Sequence, residues 1–221
     1  MFGSEQTYVR RWTTGSGLES INRTRIPIAI GTENTDYHGF HYFMIIYRKF
    51  ILLKLKTMRG DPMLYKILEE LDIPFDYYEH PPAPTIEEAI KNWKNIDATH
   101  CKNIFFRNHK GNRHYLVILD HRAQLDIHDL EKRLKQGKLS FASPERMTRY
   151  LGLQPGSVSI FGLIHDKEHH VYVFLDENLK TSHHISFHPN LNTASIVISF
   201  NDFEKFLNWT TNSYEYLKLY D

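Results

Sequence analysis

Hydrophobic and polar residues alternate with recognisable periods only after about residue 60 of this 221-residue chain. In DPMLYKILEELDI, Leu64, Ile67, Leu68 and Leu71 recur at helical spacing, Asp61 is placed as an N-cap and Pro62 at the first helical position. FDYYEH (75–80) predicts a strand ending at the turn PPAP. TIEEAIKNW (85–93) predicts a helix opened by a capping box of Thr85 and Glu88. NIFFR (103–107) and RHYLVIL (113–119) predict a hairpin across HKGN. HDLEKRLKQ (128–136) and SPERMTRYLG (143–152) predict helices, the second capped by Ser143 and closed by Gly152. VYVFLD (171–176), HHISFH (183–188) and TASIVISF (193–200) predict strands joined by short turns. NDFEKFLNW (201–209) then predicts a helix and YEYLKLY (214–220) a last strand.

Hairpins interspersed with helices imply an α+β fold, a mixed and mostly antiparallel curved sheet with flanking helices. The organisation expected is a poorly specified leader over 1–60, disordered or an artefact of start-codon choice, followed by a domain over 63–221. Residues 40–56, FHYFMIIYRKFILLKLK, are the most apolar stretch. Arg48, Lys49, Lys54 and Lys56 interrupt it, so no membrane span is expected.

Composition narrows the class. A chain 41% hydrophobic and 24% charged can bury one core. The net charge of +1 gives no global case for nucleic acid, but its distribution is uneven. Lys102 to Arg149 carries 11 Lys/Arg against 5 Asp/Glu, and Tyr150 to Asp221 carries 4 against 8. The positive middle suits an anionic partner or a solvated helix face. One cysteine, Cys101, excludes an internal disulfide and fits a reducing cytoplasm. The 14 histidines lack metal-ligand spacing: no HExxH occurs and HDKEHH (165–170) reads as a polar hairpin tip, so no metal or other cofactor is expected.

No G-x-S-x-G elbow, Walker loop or G-x-G-x-x-G is present. Three local features remain. Lys102-Asn103 opens a strand, where the lysine is either a solvated edge charge or an anion anchor. Pro155-Gly156-Ser157 makes a sharp turn before Val158-Ser159-Ile160-Phe161-Gly162, whose backbone could face a ligand. Phe187-His188-Pro189 ends a strand. Each alone has an ordinary structural reading.

Together, HPPAPTIEEA (80–89), KNIFFRNHKGNRHYLV (102–117), LSFASPERMTRYLGLQPGSVSIFGL (139–163) and FHPNLNTASIVIS (187–199) resemble the YbaK/prolyl-tRNA-synthetase-associated editing domains. The likeness is greatest to the free-standing members that deacylate alanyl-tRNA(Pro). It implies a trans-editing hydrolase that cleaves the aminoacyl ester of mischarged tRNA(Pro), with Lys102, Asn103 and His188 catalytic. It further implies that the Gly156, Ser157, Val158, Ser159, Ile160 loop lines the aminoacyl pocket. Ile160 stands where the family loop has proline, from which a less rigid loop and a looser choice of aminoacyl group are expected. The implied partner is the acceptor end of aminoacylated tRNA(Pro), with association with prolyl-tRNA synthetase left open, no membrane and a monomeric state. The alternative is a catalytically lapsed module of the same fold that binds tRNA or an amino acid.

Overall fold

The computed structural model describes residues 23–25, 57–83 and 86–220. Among the described residues nine strands form one sheet: β1 (Arg23–Arg25), β2 (Asp76–Glu79), β3 (Thr99–Asn108), β4 (His114–Asp120), β5 (Leu139–Phe141), β6 (Val171–Asp176), β7 (His184–Phe187), β8 (Ala194–Ser199) and β9 (Tyr214–Leu217). The helices are α1 (Pro62–Glu70), α2 (Ile86–Trp93), α3 (Ile127–Leu134), α4 (Pro144–Leu151) and α5 (Phe200–Thr210). The strand order is β1-β2-β8-β7-β3-β4-β6-β9, with β5 on the edge of β3. Five pairings are antiparallel and three, β3 with β7, β4 with β6 and β6 with β9, are parallel. This is the mixed α+β sheet expected, with one correction. The strands β6 and β7 are not neighbours: β6 lies beside β4 and β7 beside β3, so the chain crosses between them through a 3-10 helix at Glu177–Thr181.

The sheet is covered on both faces, which explains why β4, HYLVILD, is buried at every position. Leu116 and Ile118 point into the main core, packed with Leu64 and Leu68 of α1 and Phe203 and Phe206 of α5. Val117 and Leu119 point the other way, against Leu130 and Leu134 of α3. Beyond β3, Tyr78 and Val197 on that second face meet Ala89 and Trp93 of α2.

Four elements escaped the sequence reading: β1, β5 and the 3-10 helices at Ile160–His165 and Glu177–Thr181. The strand β5 is only three residues long. The segment Ile160–His165 forms a 3-10 helix in which Ile160 through Ile164 are all buried. HDKEHH is therefore the exit of that helix and a turn into β6, not a simple hairpin tip. Asp61 caps α1 as expected, accepting the Met63 N–H at 2.9 Å. The expected Thr85 cap and residues 40–56 lie outside the described residues; among those described, no helix is long and apolar enough to cross a membrane.

Residues upstream of Met63 are tied to the domain. Met58 packs on the main core, the Arg59 carbonyl accepts the Tyr65 hydroxyl, and the Asp61 N–H donates to the Pro189 carbonyl at 3.0 Å. The strand β1 pairs with β2 at Arg23↔Tyr78 through Arg25↔Asp76.

Candidate active site

The sheet splits along one edge of β3. That edge pairs with β7 only at Thr99 and His100, and with β5 only at Phe106–Asn108. Among the described residues, Cys101–Ile104 have no strand on that side. Into the gap come the 155–160 loop and the end of β7, and a cavity of about 290 Å³ remains between them. Lys102, Asn103, Gly156, Val158 and His188 line it, with Ala83, Ala89 and Trp93 on the opposite wall.

Lys102 is half-buried, and its Nζ donates to the Ala123 carbonyl at 2.7 Å. That carbonyl is held in place by the turn after β4. Asp120 accepts the Arg122 backbone N–H at 2.8 Å and grips the Arg122 guanidinium at 2.6–3.1 Å, while its carbonyl takes the Ala123 N–H at 3.0 Å. The ammonium thus keeps donors to spare, and no carboxylate pairs with it among the described residues. It is neither a solvated surface charge nor a neutralised one.

The amide of Asn103 is used at both ends. Its Nδ2 donates to the Cys101 carbonyl at 3.3 Å, and its Oδ1 accepts the Ile160 N–H at 3.2 Å. It lines the cavity, but its bonds also latch the loop to β3.

The loop opens with a turn in which the Ser157 N–H reaches the Gln154 carbonyl at 3.1 Å. Pro155 and Gly156 occupy its centre, and Gly156 has φ +81°, a conformation that L side chains avoid. The five loop residues then divide. Gly156 and Val158 face the cavity. Ser157 is buried away from it; Ser159 is fully buried, donating to the His188 carbonyl at 2.7 Å and capping the 3-10 helix at the Phe161 N–H. Ile160 places its side chain in the main core and only its N–H toward Asn103. A proline there could not make that bond, so Ile160 gives the loop a tie to β3 that a proline would lack.

His188 donates through Nδ1 to the Ala194 carbonyl across the β7–β8 turn at 2.9 Å. A carbonyl can only accept, so Nε2 holds a lone pair. Burial pushes the imidazole below its ordinary value, and neighbouring His80 (ring centres 5.9 Å apart) adds to this, so His188 is a neutral acceptor.

Trp93 was missed from the sequence. It follows Ala89 by four residues, so both project from one face of α2, and it lies flat on His100 at 4.2 Å and 3°. The signal was present as an apolar stripe but reads equally as ordinary core. Cys101 also borders the cavity; burial, then the Asp120 and Asp176 charges, raise its thiol well above its ordinary value, so it supplies no thiolate. Among the described residues no three His, Cys, Asp or Glu side chains gather to hold a metal ion.

A family model for the aminoacyl-tRNA editing domain matches residues 80–206, which contain every cavity-lining residue named above. The prolyl-tRNA editing protein ProX of Acetoanaerobium sticklandii is 39% identical over 153 residues, covering 69% of this chain and 93% of that one. The prolyl-tRNA synthetase associated domain-containing protein 1 of Xenopus laevis is 30% identical over 158 residues, covering 69% and 94%. A solved structure described as a candidate trans-editing enzyme for prolyl tRNA synthetase superposes with a TM-score of 0.54 at 20% identity, covering 72% of this chain and 99% of that one; it shares the fold. The chain belongs to the aminoacyl-tRNA editing domain family.

Proposed function

We propose that this aminoacyl-tRNA deacylase acts in trans on mischarged tRNA(Pro) and removes alanine. One observation carries the reading: Lys102, Asn103, Gly156 and His188, scattered over 87 positions of sequence, converge on one small cavity at the split of the sheet. Relatives named for prolyl-tRNA editing support the choice of tRNA.

The ester linking an amino acid to ribose is already activated, so catalysis needs position and electrostatics more than a strong nucleophile. Water bonds to the carbonyl carbon, the carbon–oxygen bond to the ribose breaks, and the leaving ribose oxygen takes the proton. Lys102, held on Ala123 with spare N–H donors, stabilises the terminal phosphate or the charge developing on the ester oxygen. The lone pair on His188 Nε2 accepts from a ribose hydroxyl or the substrate ammonium. Asn103 keeps the loop against β3, and Gly156, lacking a side chain, leaves room for the aminoacyl group. Ala83, Ala89 and Gly156 make a small sieve. A sieve is needed because a pocket shaped for proline discriminates against a slightly smaller side chain by only about 1–3 kcal/mol.

Single-turnover deacylation of alanyl-, seryl-, cysteinyl- and prolyl-tRNA(Pro) tests this reading. Cleavage of the alanyl ester with the prolyl ester spared is expected. Binding without cleavage of any ester would leave the non-catalytic module.

A further inference from the structure

A second concavity lies at the far end of β3 from the ester pocket. The β3–β4 turn contributes Lys110 and Arg113, and the α3–β5 turn contributes Lys135 and Lys138. His109 joins them and no carboxylate lines the space, of about 420 Å³. All four cations are exposed. Lys110, Arg113 and Lys135 have no ion pair among the described residues. The nearby Glu131 carboxylate interacts with Lys138 but is bonded to the Leu139 N–H at 2.7 Å. Like charges gathered without acids repel one another, a cost that an anionic partner would offset.

The two turns are held rigidly. Asn108 Oδ1 accepts the N–H groups of Asn112 and Arg113 at 3.1 and 3.2 Å, and Gly111 turns the hairpin at φ +71°. The Tyr115 hydroxyl donates to Gln136 Oε1 at 3.0 Å, tying the α3–β5 turn to the start of β4. An adjoining cavity shares Asn112, Arg113, Tyr115 and Gln136, so the concavity continues as a groove past His170 and Tyr172 to Glu215, the one carboxylate on its lining among the described residues, which leaves the four cations at the end away from that acid.

We propose that this groove holds the sugar-phosphate backbone of the RNA substrate, making a second contact separate from the ester pocket. The inference rests on the deacylase reading above. From Lys102 to Asn108 the strand advances six residues, roughly 20 Å at 3.3 Å each. That spacing corresponds to about six stacked nucleotides at 3.4 Å per step. With its 3′ end stacked in continuation of the helix, an ester end in the pocket brings the base-paired stem, not the single-stranded tip, to the four cations. The contact is to phosphates and reads no sequence.

The test compares the full-length chain with its Lys110→Ala, Arg113→Ala, Lys135→Ala, Lys138→Ala quadruple variant. Uncharged tRNA(Pro) should bind the variant at least about tenfold more weakly near 0.1 M salt. The slope of log affinity against log salt should flatten by about one for each phosphate that the variant no longer neutralises. Deacylation of alanyl-tRNA(Pro) should fall through KM, while hydrolysis of a short alanylated trinucleotide that cannot reach the groove stays unchanged. Unaltered tRNA affinity and salt slope would overturn the groove, as they would if it served an acidic protein surface. An equal loss on the short ester would also overturn it. A wild-type chain that binds tRNA through these residues but cleaves no ester would defeat the deacylase reading and leave the groove standing.

Discussion

Lys102 keeps its charge half-buried beside a cavity, with the Ala123 carbonyl taking one of its three donors. Removing such a preorganised charge slows the chemistry by about 100-fold or more. Lys102→Ala is therefore expected to melt close to wild type while single-turnover deacylation collapses; near-normal turnover by the folded variant would end its catalytic role. Lys102→Arg keeps the charge but brings a planar, bulkier group that fits a single carbonyl poorly, and it should rescue little activity. The link between Asn103 and Ile160 is a different case. The KN pair and the loop were each legible from resemblance, but the bond between them spans 57 residues and no local pattern encodes it. It also bears on Ile160: proline at 160 would remove the N–H that Asn103 accepts. Ile160→Pro and Asn103→Ala should each cost about 1–3 kcal/mol, since each strands a partner. Because both break one bond, the double variant should lose less than the sum of the two. Additive losses in denaturant midpoint would show that the latch carries no energy.

At the scale of elements, amphipathic helices and the alternating or wholly apolar strands were readable because burial repeats with their own period. The 3-10 helix at Ile160–His165 was not, because Ile160 through Ile164 are buried all round and give no polar face. Its packing is close: a Cβ on Gly162 would lie 2.7 Å from Leu153 Cδ1. The strand β5 is too short to show any period. The N-terminal boundary of the domain was read at Met63 because the helical pattern begins there, yet Asp61 does more than cap α1. Its Oδ2 accepts from His165 Nε2 at 2.7 Å and from Asn190 Nδ2 at 3.2 Å, next to the turn that carries His188. These bonds offset burial and bring the Asp61 carboxyl below its ordinary value. A chain beginning at Met63 loses this clamp and the Arg59 carbonyl that receives Tyr65. Its melting temperature should fall by at least about 4 °C relative to a chain beginning at Thr57, given ~2–4 °C per kcal/mol for a domain of this size. Equal melting temperatures would show that the clamp contributes nothing.

Across the whole molecule, the crossover from β6 to β7 and the split beside β3 are decided by which strands meet, a long-range choice that periodicity does not carry. The same packing buries histidines far apart in sequence, and together they set the response to acid. His100 lies flat on Trp93 and His114 touches His170, Tyr150 and Arg146; burial pushes each down to about 4. His170 and the Arg146, Arg107 and Arg149 charges add to the effect on His114. With a folded value below the ordinary 6.5, both are neutral in both states above about pH 6.5. Between 6.5 and 4 the unfolded chain takes up protons that the folded chain refuses, so stability falls as pH falls. For His100 a depression from 6.5 to about 4 corresponds to on the order of 3 kcal/mol, a large fraction of the stability of a typical domain, and His114 adds in the same direction. The carboxyls of Asp61 and Asp120 lie below their ordinary 3.8, so their losses fall in a separate window at still lower pH. The melting temperature should therefore drop between pH 6.5 and 4.5, before the carboxylates titrate. His100→Phe, which keeps a flat ring on Trp93 but cannot take a proton, should make that drop shallower. A flat profile over this range, or a variant profile parallel to wild type, would mean that the buried histidines do not govern acid unfolding.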